Sequence, residues 1–211
     1  MTSETPVLFG MFLSPYVRRV AVSLNVFGIP FVHRVVSAVG DEREREGVNP
    51  VGRVPALQLP SGEVLIDSAA ILDHFDEAAG PERALIPASG VGRRRALQRL
   101  AIATGAIDRA MAANAERRRE VPDPARIERL VRQCRQGFEA LERELGGRDH
   151  FDGSGLRQPD ITAAVGLSFV NHIFPGTLSD SALPGLWSVT RRAEALAEFQ
   201  VASIGRAPER H

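Results

Sequence analysis

The sequence predicts an α/β layer built on a mixed sheet, followed by an all-helical second half. Three observations predict it. The early part of the chain alternates short apolar runs with helical patterns, in the order strand, helix, strand, then strand, strand, helix. Turn punctuation gathers at Gly80-Pro81, with Pro87 and Gly90 further on. Beyond it, the apolar residues recur at helical spacing and no strand stands out. Domains are therefore expected over 1–80 and 91–211, joined by a linker over 81–90.

Each element follows from local chemistry. Val7-Leu8-Phe9 reads as a short buried strand, ended by Gly10. Met11-Phe12-Leu13 is an apolar loop, which either lines a ligand cleft or packs beneath itself. Ser14-Pro15 opens a helix, with Ser as cap and Pro in the first turn. Val17, Val20, Ala21 and Leu24 are its expected buried face, and Gly28 stops it. Residues 31–36 read as a second strand, and the charged run 41–46 has room for one short helix. After the turn at Asn49-Pro50-Val51-Gly52, Val54-Pro55 opens a strand over 56–59. A Pro at the first strand position removes no interior ladder bond. Pro60-Ser61-Gly62 turns the chain into a second strand over 63–66, completing a hairpin. Ser68 then reads as the cap of a helix reaching about Ala79, with Ile71, Leu72 and Phe75 on one face.

In the second half, residues 93–119 form one long predicted helix. Its stripe is read as Leu97, Leu100, Ala101, Thr104, Asp108 and Met111, so that Asp108 and Thr104 interrupt an apolar face. Pro122-Asp123-Pro124 breaks it. Ile127, Leu130, Val131, Cys134, Phe138, Leu141 and Leu145 make a strongly periodic helix, stopped at Gly146-Gly147. A third helix starts near Pro159-Asp160 and runs through Ile161, Ala164, Val165 and Phe169. Trp187 through about Phe199 supplies one more helix, or two short ones.

Composition narrows the function classes. The 211 residues carry 26 basic and 26 acidic side chains, so no net charge points to nucleic acid or an anionic membrane. Every basic residue except histidine is Arg. The single Cys rules out an intramolecular disulfide framework and any Cys-x-x-Cys motif, and its place on an apolar helix face marks it as core. His33, His74, His150, His172 and His211 show no metal-ligand spacing, so no metal is expected. The first residues lack the apolar core of a signal peptide, and no apolar run approaches membrane-spanning length. A cytoplasmic protein is expected.

Val54-Pro55, a hairpin and then Asp67-Ser68 opening a helix, preceded by Ser14-Pro15-Tyr16-Val17-Arg18-Arg19-Val20, resembles the cytosolic glutathione transferase family in its Ser-type variety. The resemblance runs from about Pro6 to Phe199. It implies a thioredoxin-like glutathione-binding domain with a cis-proline at Pro55, then an all-helical domain. Ser14 would donate a hydrogen bond to the glutathione thiolate, the alternative being a helix cap alone. The Val54 backbone would pair with the cysteinyl backbone. Ser68 would receive the γ-glutamyl carboxylate and Asp67 the γ-glutamyl ammonium, although the family more often has Glu there. Arg53 would lie near the glycyl carboxylate. Asp108 is the candidate for the acidic residue that, in some members, reaches glutathione in the neighbouring subunit.

The implied reaction is attack of the thiolate on a small apolar electrophile, with Met11, Phe12, Leu13, Tyr16, Met111 and Asn114 as expected pocket walls. The same thiolate would also serve an isomerase, a dehalogenase or a peroxidase, and the fold alone would serve a non-catalytic binding protein. A homodimer is expected, with the basic Arg93-Arg94-Arg95 flank meeting acidic Asp73, Asp76 and Glu77. Asp160 matches a capping-box position of the helical domain. Arg157 stands where Ser or Thr is usual, so that reciprocal cap is expected to be incomplete.

Overall fold

The computed structural model describes residues 5–36, 46–153 and 155–205. The chain divides into two compact units: one runs through Ala84 and takes in Leu196 onward, and the other is Leu85–Ala195. In the first, β1 (Val7–Phe9), α1 (Pro15–Phe27), β2 (Val32–Arg34), β3 (Ala56–Gln58), β4 (Val64–Ile66) and α2 (Ser68–Ala79) follow one another. The sheet order is β2-β1-β3-β4, with β1 parallel to β2 and the other pairs antiparallel.

Leu8 and Leu57 stand opposite each other across β1 and β3 and are wholly buried. Their neighbours Phe9 and Ala56 point the other way, into a cluster with Val36. Both sheet faces are therefore covered, which explains why the strands read as short continuous apolar runs. The strands are shorter than expected because β1 offers only three ladder positions before Gly10 turns away at φ 125°. The charged run 41–46 lies outside the described residues apart from Glu46.

The segment after Leu196 belongs with the first unit and not with the helical half. Arg18 on α1, 1% exposed, donates from Nε to Ala202 O at 2.8 Å and lies 5.7 Å from the Phe199 ring centroid. Asn25 Nδ2 donates to Glu198 O at 2.9 Å. A buried polar clamp of this kind carries no periodic signal in the sequence.

The second unit holds α3 (Gly90–Arg117), α4 (Pro124–Leu145), α5 (Gln158–Ile173) and α6 (Pro184–Glu194); the short α7 (Ala197–Gln200) belongs to the first. The buried face of α3 is Ala96, Leu100, Ala103, Ile107, Ala110 and Ala113. This corrects the stripe read from the sequence, because Leu97 and Met111 are exposed and Asp108 faces solvent. The true face is mostly alanine, which lets α4 approach closely. A Cβ on Gly137 of α4 would lie 2.8 Å from the Ala106 Cβ. On α4 the predicted residues Leu130, Cys134, Phe138, Leu141 and Leu145 are all buried.

Asp160, wholly buried, accepts from the Arg157 and Phe151 amides, each at 3.0 Å. One half of the capping box is thus kept, and the second carboxylate oxygen ties the preceding loop to α5. Burial pushes the Asp160 carboxyl above its ordinary range, and the two amide donors oppose that. Asp76 on α2 is buried, so the acidic surface of that helix reduces to Asp73 and Glu77. Among the described residues no helix is long and apolar enough to cross a membrane.

Candidate functional site

The loop between β1 and α1 is set by Gly10. A Cβ there would lie 2.5 Å from Val17 Cγ2 and 2.9 Å from Val54 Cβ, and φ is 125°. Only glycine meets both conditions, so the loop, α1 and Val54 are drawn together at this point. The chain then turns through Met11-Phe12-Leu13, and the Ser14 amide donates to Met11 O at 2.9 Å. Ser14 has extended geometry and caps α1, its Oγ accepting from the Val17 amide at 3.4 Å. That bond uses a lone pair. The hydroxyl proton has no protein acceptor among the described residues, so Ser14 can cap the helix and still donate. Tyr16 is half-buried in the first turn of α1.

Val54 and Pro55 are joined by a cis peptide bond. The turn before them is organised by Asn49, 3% exposed, a residue the sequence marked only as punctuation. Its Nδ2 donates to Arg53 O at 2.8 Å and its Oδ1 accepts from the Val51 amide at 2.9 Å. The Arg53 side chain is exposed. Among the described residues, neither the Val54 N–H nor its C=O has a protein partner. An N–H and C=O left open side by side suit an extended peptide laid along them.

The start of α2 differs from expectation. Asp67, not Ser68, is the cap: its Oδ1 accepts from the Ala69 amide at 2.8 Å. Asp67 also has φ 66° and ψ 134°, the one non-glycine residue at positive φ among those described. Ser68 becomes the first helical residue and is buried, with its amide and hydroxyl at the positive end of α2. A side chain the sequence did not single out sits close by. Arg19, 3% exposed, is near enough for Tyr16 and Asp67 to favour its charged form. Among the described residues its Nε and Nη1 have no hydrogen-bond partner. Burial pushes the guanidinium down from its ordinary value to about 10, against the pull of Tyr16 and Asp67. Its place beside the predicted apolar face of α1 gave no hint, because α1 is buried almost all round.

The other candidates are more scattered. Met11 and Phe12 are half-buried and Leu13 is exposed. The Phe12 ring stacks on His33 at 3.9 Å between centroids and 8° between planes. Asp108, Met111 and Asn114 lie on α3 in the second unit; Asp108 and Met111 are exposed, and Asn114 accepts from Arg117 Nη2 at 2.8 Å. Among the described residues no group of three His, Cys, Asp or Glu side chains could hold a metal ion. Cys134 is buried in the second unit and its thiol is pushed up to about 12 by burial, which leaves it inert.

Residues 8–83 match the family model described as glutathione S-transferase, N-terminal domain. Over 170 residues, 79% of this chain and 72% of the relative, the sequence is 25% identical to glutathione S-transferase U6 of Arabidopsis thaliana. Over 82 residues, 36% of this chain and 38% of the relative, it is 35% identical to maleylacetoacetate isomerase of Pseudomonas aeruginosa. Among solved structures, a glutathione S-transferase of Methylobacillus flagellatus with GSH bound superposes with a TM-score of 0.86. That match covers 94% of this chain and 99% of the other at 27% identity.

Proposed function

We propose that this chain is a member of the glutathione S-transferase family that binds glutathione on its first unit and activates it as a thiolate for attack on a small apolar electrophile. One observation carries the reading. Three sets of polar groups stay open to a ligand: the Ser14 hydroxyl proton, the Val54 N–H and C=O, and the Ser68 amide and hydroxyl. They match the thiol, the cysteinyl backbone and the γ-glutamyl carboxylate of the tripeptide in turn.

A free thiol has a pKa of about 8.5. Lowering it by about two units takes roughly 2.7 kcal/mol of preference for the anion. One hydrogen bond to a charged acceptor supplies about 1.5–3 kcal/mol, and the positive end of α1 adds to it. Ser14 acts here as donor and never as nucleophile. Asp67 Oδ1 serves the α2 cap, so its other oxygen faces the γ-glutamyl ammonium. The exposed Arg53 side chain answers the glycyl carboxylate. Met11, Phe12, Leu13 and Tyr16, around the thiol end, form the apolar wall on this unit. The protein acts as a cytoplasmic homodimer, and a monomer by light scattering at micromolar concentration would count against that.

The test is retention on glutathione resin, followed by conjugation to an activated aryl halide. Binding with turnover supports the reading, and failure to bind removes it. A second reading, glutathione-dependent isomerisation, is favoured by the 35% identity to the isomerase over 82 residues. It predicts turnover of a cis-alkene acid with no glutathione consumed.

A further inference from the structure

We infer that His33 on β2 is a positioning residue that sets the β1–α1 loop and thereby aims the Ser14 hydroxyl; the inference rests on the thiolate reading above. His33 pairs with Leu8 in the parallel β1–β2 ladder, so its backbone is fixed by the sheet. Its side chain reaches the loop twice. Nε2 donates to Gly10 O at 2.6 Å, and the ring lies flat on Phe12, 3.9 Å away and 8° from parallel. Because the partner is a carbonyl, Nε2 carries the proton.

These contacts bracket the loop. Gly10 is its first residue, and its amide is already tied to Arg34 O at 3.0 Å. Phe12 stands at its middle. Met11, between them, accepts from the Ser14 amide at 2.9 Å and so passes the loop's position directly to the cap. The backbone hydrogen bond and the stack act on different things. The Gly10 bond sets where the loop leaves the sheet, hence the direction of Ser14. The stack sets the plane of Phe12, hence the apolar wall. A hydrogen-bonded ring stacked on a second ring holds both more rigidly than either contact alone, as placement of a catalytic group requires.

Three variants separate the roles. His33→Ala removes both contacts, His33→Gln keeps an N–H for Gly10 O without the stack, and His33→Phe keeps the stack without the N–H. The readouts are the pKa of the bound glutathione thiol, from thiolate absorbance, and KM for the electrophile, with glutathione affinity and melting temperature measured alongside. In His33→Ala the thiol pKa should rise by about one unit, a loss of thiolate that approaches tenfold at pH well below the bound wild-type pKa, with glutathione affinity held. His33→Gln should recover the pKa while the electrophile KM stays raised, and His33→Phe should show the reverse. A purely structural role would move melting temperature in all three without this split. If His33→Ala melts below the assay temperature, the Gln and Phe pair decides. Variants matching a wild type that does lower the thiol pKa overturn this inference alone. A wild type that binds glutathione without lowering its pKa overturns the thiolate reading and this inference with it.

Discussion

Ser14 Oγ accepts the Val17 amide at 3.4 Å, at the first turn of α1. Capping the helix and donating to sulfur are therefore compatible, since one uses a lone pair and the other the proton. The same arrangement points the positive end of a 13-residue helix at whatever the hydroxyl faces. Cap and thiolate donor, opposed alternatives in the sequence, do not exclude each other in this geometry.

Asp67 predicts a separation of stability from binding. At φ 66° and ψ 134° a side chain costs about 1–3 kcal/mol, whereas glycine tolerates this conformation. Replacing an Asp cap with Gly loses only a few tenths of a kcal/mol. Asp67→Gly should therefore be about 1–2 kcal/mol more stable to urea. It should also bind glutathione at least ~10-fold more weakly, because the ammonium loses a charge-assisted partner. Equal affinity in the two proteins would show that Asp67 is only a cap.

Arg19 predicts a gain on removal. Its guanidinium is held at about 10 when folded, well below the ordinary group, so the unfolded chain binds that proton more tightly. The penalty is in full force below the folded value and is relieved as pH rises above about 10 toward the ordinary arginine value. The gap corresponds to roughly 3 kcal/mol against the charged form. Arg19→Met, similar in shape and uncharged, should be about 1–3 kcal/mol more stable at neutral pH, with the gain shrinking in the alkaline range. A less stable variant would mean that attraction to Asp67 and Tyr16 outweighs burial.

In the second unit, Gly137 is held by proximity rather than by conformation. Alanine there should add about 1 kcal/mol of helix propensity. Its Cβ would meet the Ala106 Cβ at 2.8 Å, and neither can swing away because each is fixed to its own helix backbone. Overpacking costs about 1–3 kcal/mol, so after the propensity gain Gly137→Ala should lower stability by up to about 2 kcal/mol in thermal or urea unfolding. A more stable variant would mean that α3 and α4 separate without penalty.

What was legible follows from the range of each signal. Ser14, Pro15 and Gly28 mark both ends of α1 because capping is decided within a few residues. The buried face of α4 was legible because Leu130, Phe138, Leu141 and Leu145 contrast sharply with the charged residues between them. The face of α3 was not, since Ala96, Ala103 and Ala110 are hardly more apolar than their neighbours while exposed Leu97 and Met111 are larger. Arg18, Arg19, Asn49 and Asp76 read as surface by residue type and are buried by long-range packing that local patterns do not encode. At the candidate site, residue types at motif positions were readable. Asp67 as cap, the Arg19 charge and the His33–Phe12 stack were not, because each joins elements distant in sequence or depends on an unusual backbone angle.

The most direct test of the account is the pKa of the glutathione thiol bound to wild type and to Ser14→Ala, read from thiolate absorbance across a pH series. A Ser14 hydroxyl bonded to the thiolate gives a wild-type value well below the free thiol, and a rise of about 1–2 units in the variant from loss of one hydrogen bond to a charged sulfur. Conjugation at pH well below the bound wild-type pKa should fall roughly 10- to 100-fold, with the deficit closing above the free thiol pKa and glutathione affinity almost unchanged. Loss of the cap should separately lower stability by about 1 kcal/mol. A variant that loses this stability yet holds the bound thiol at the wild-type pKa would leave Ser14 as a helix cap alone.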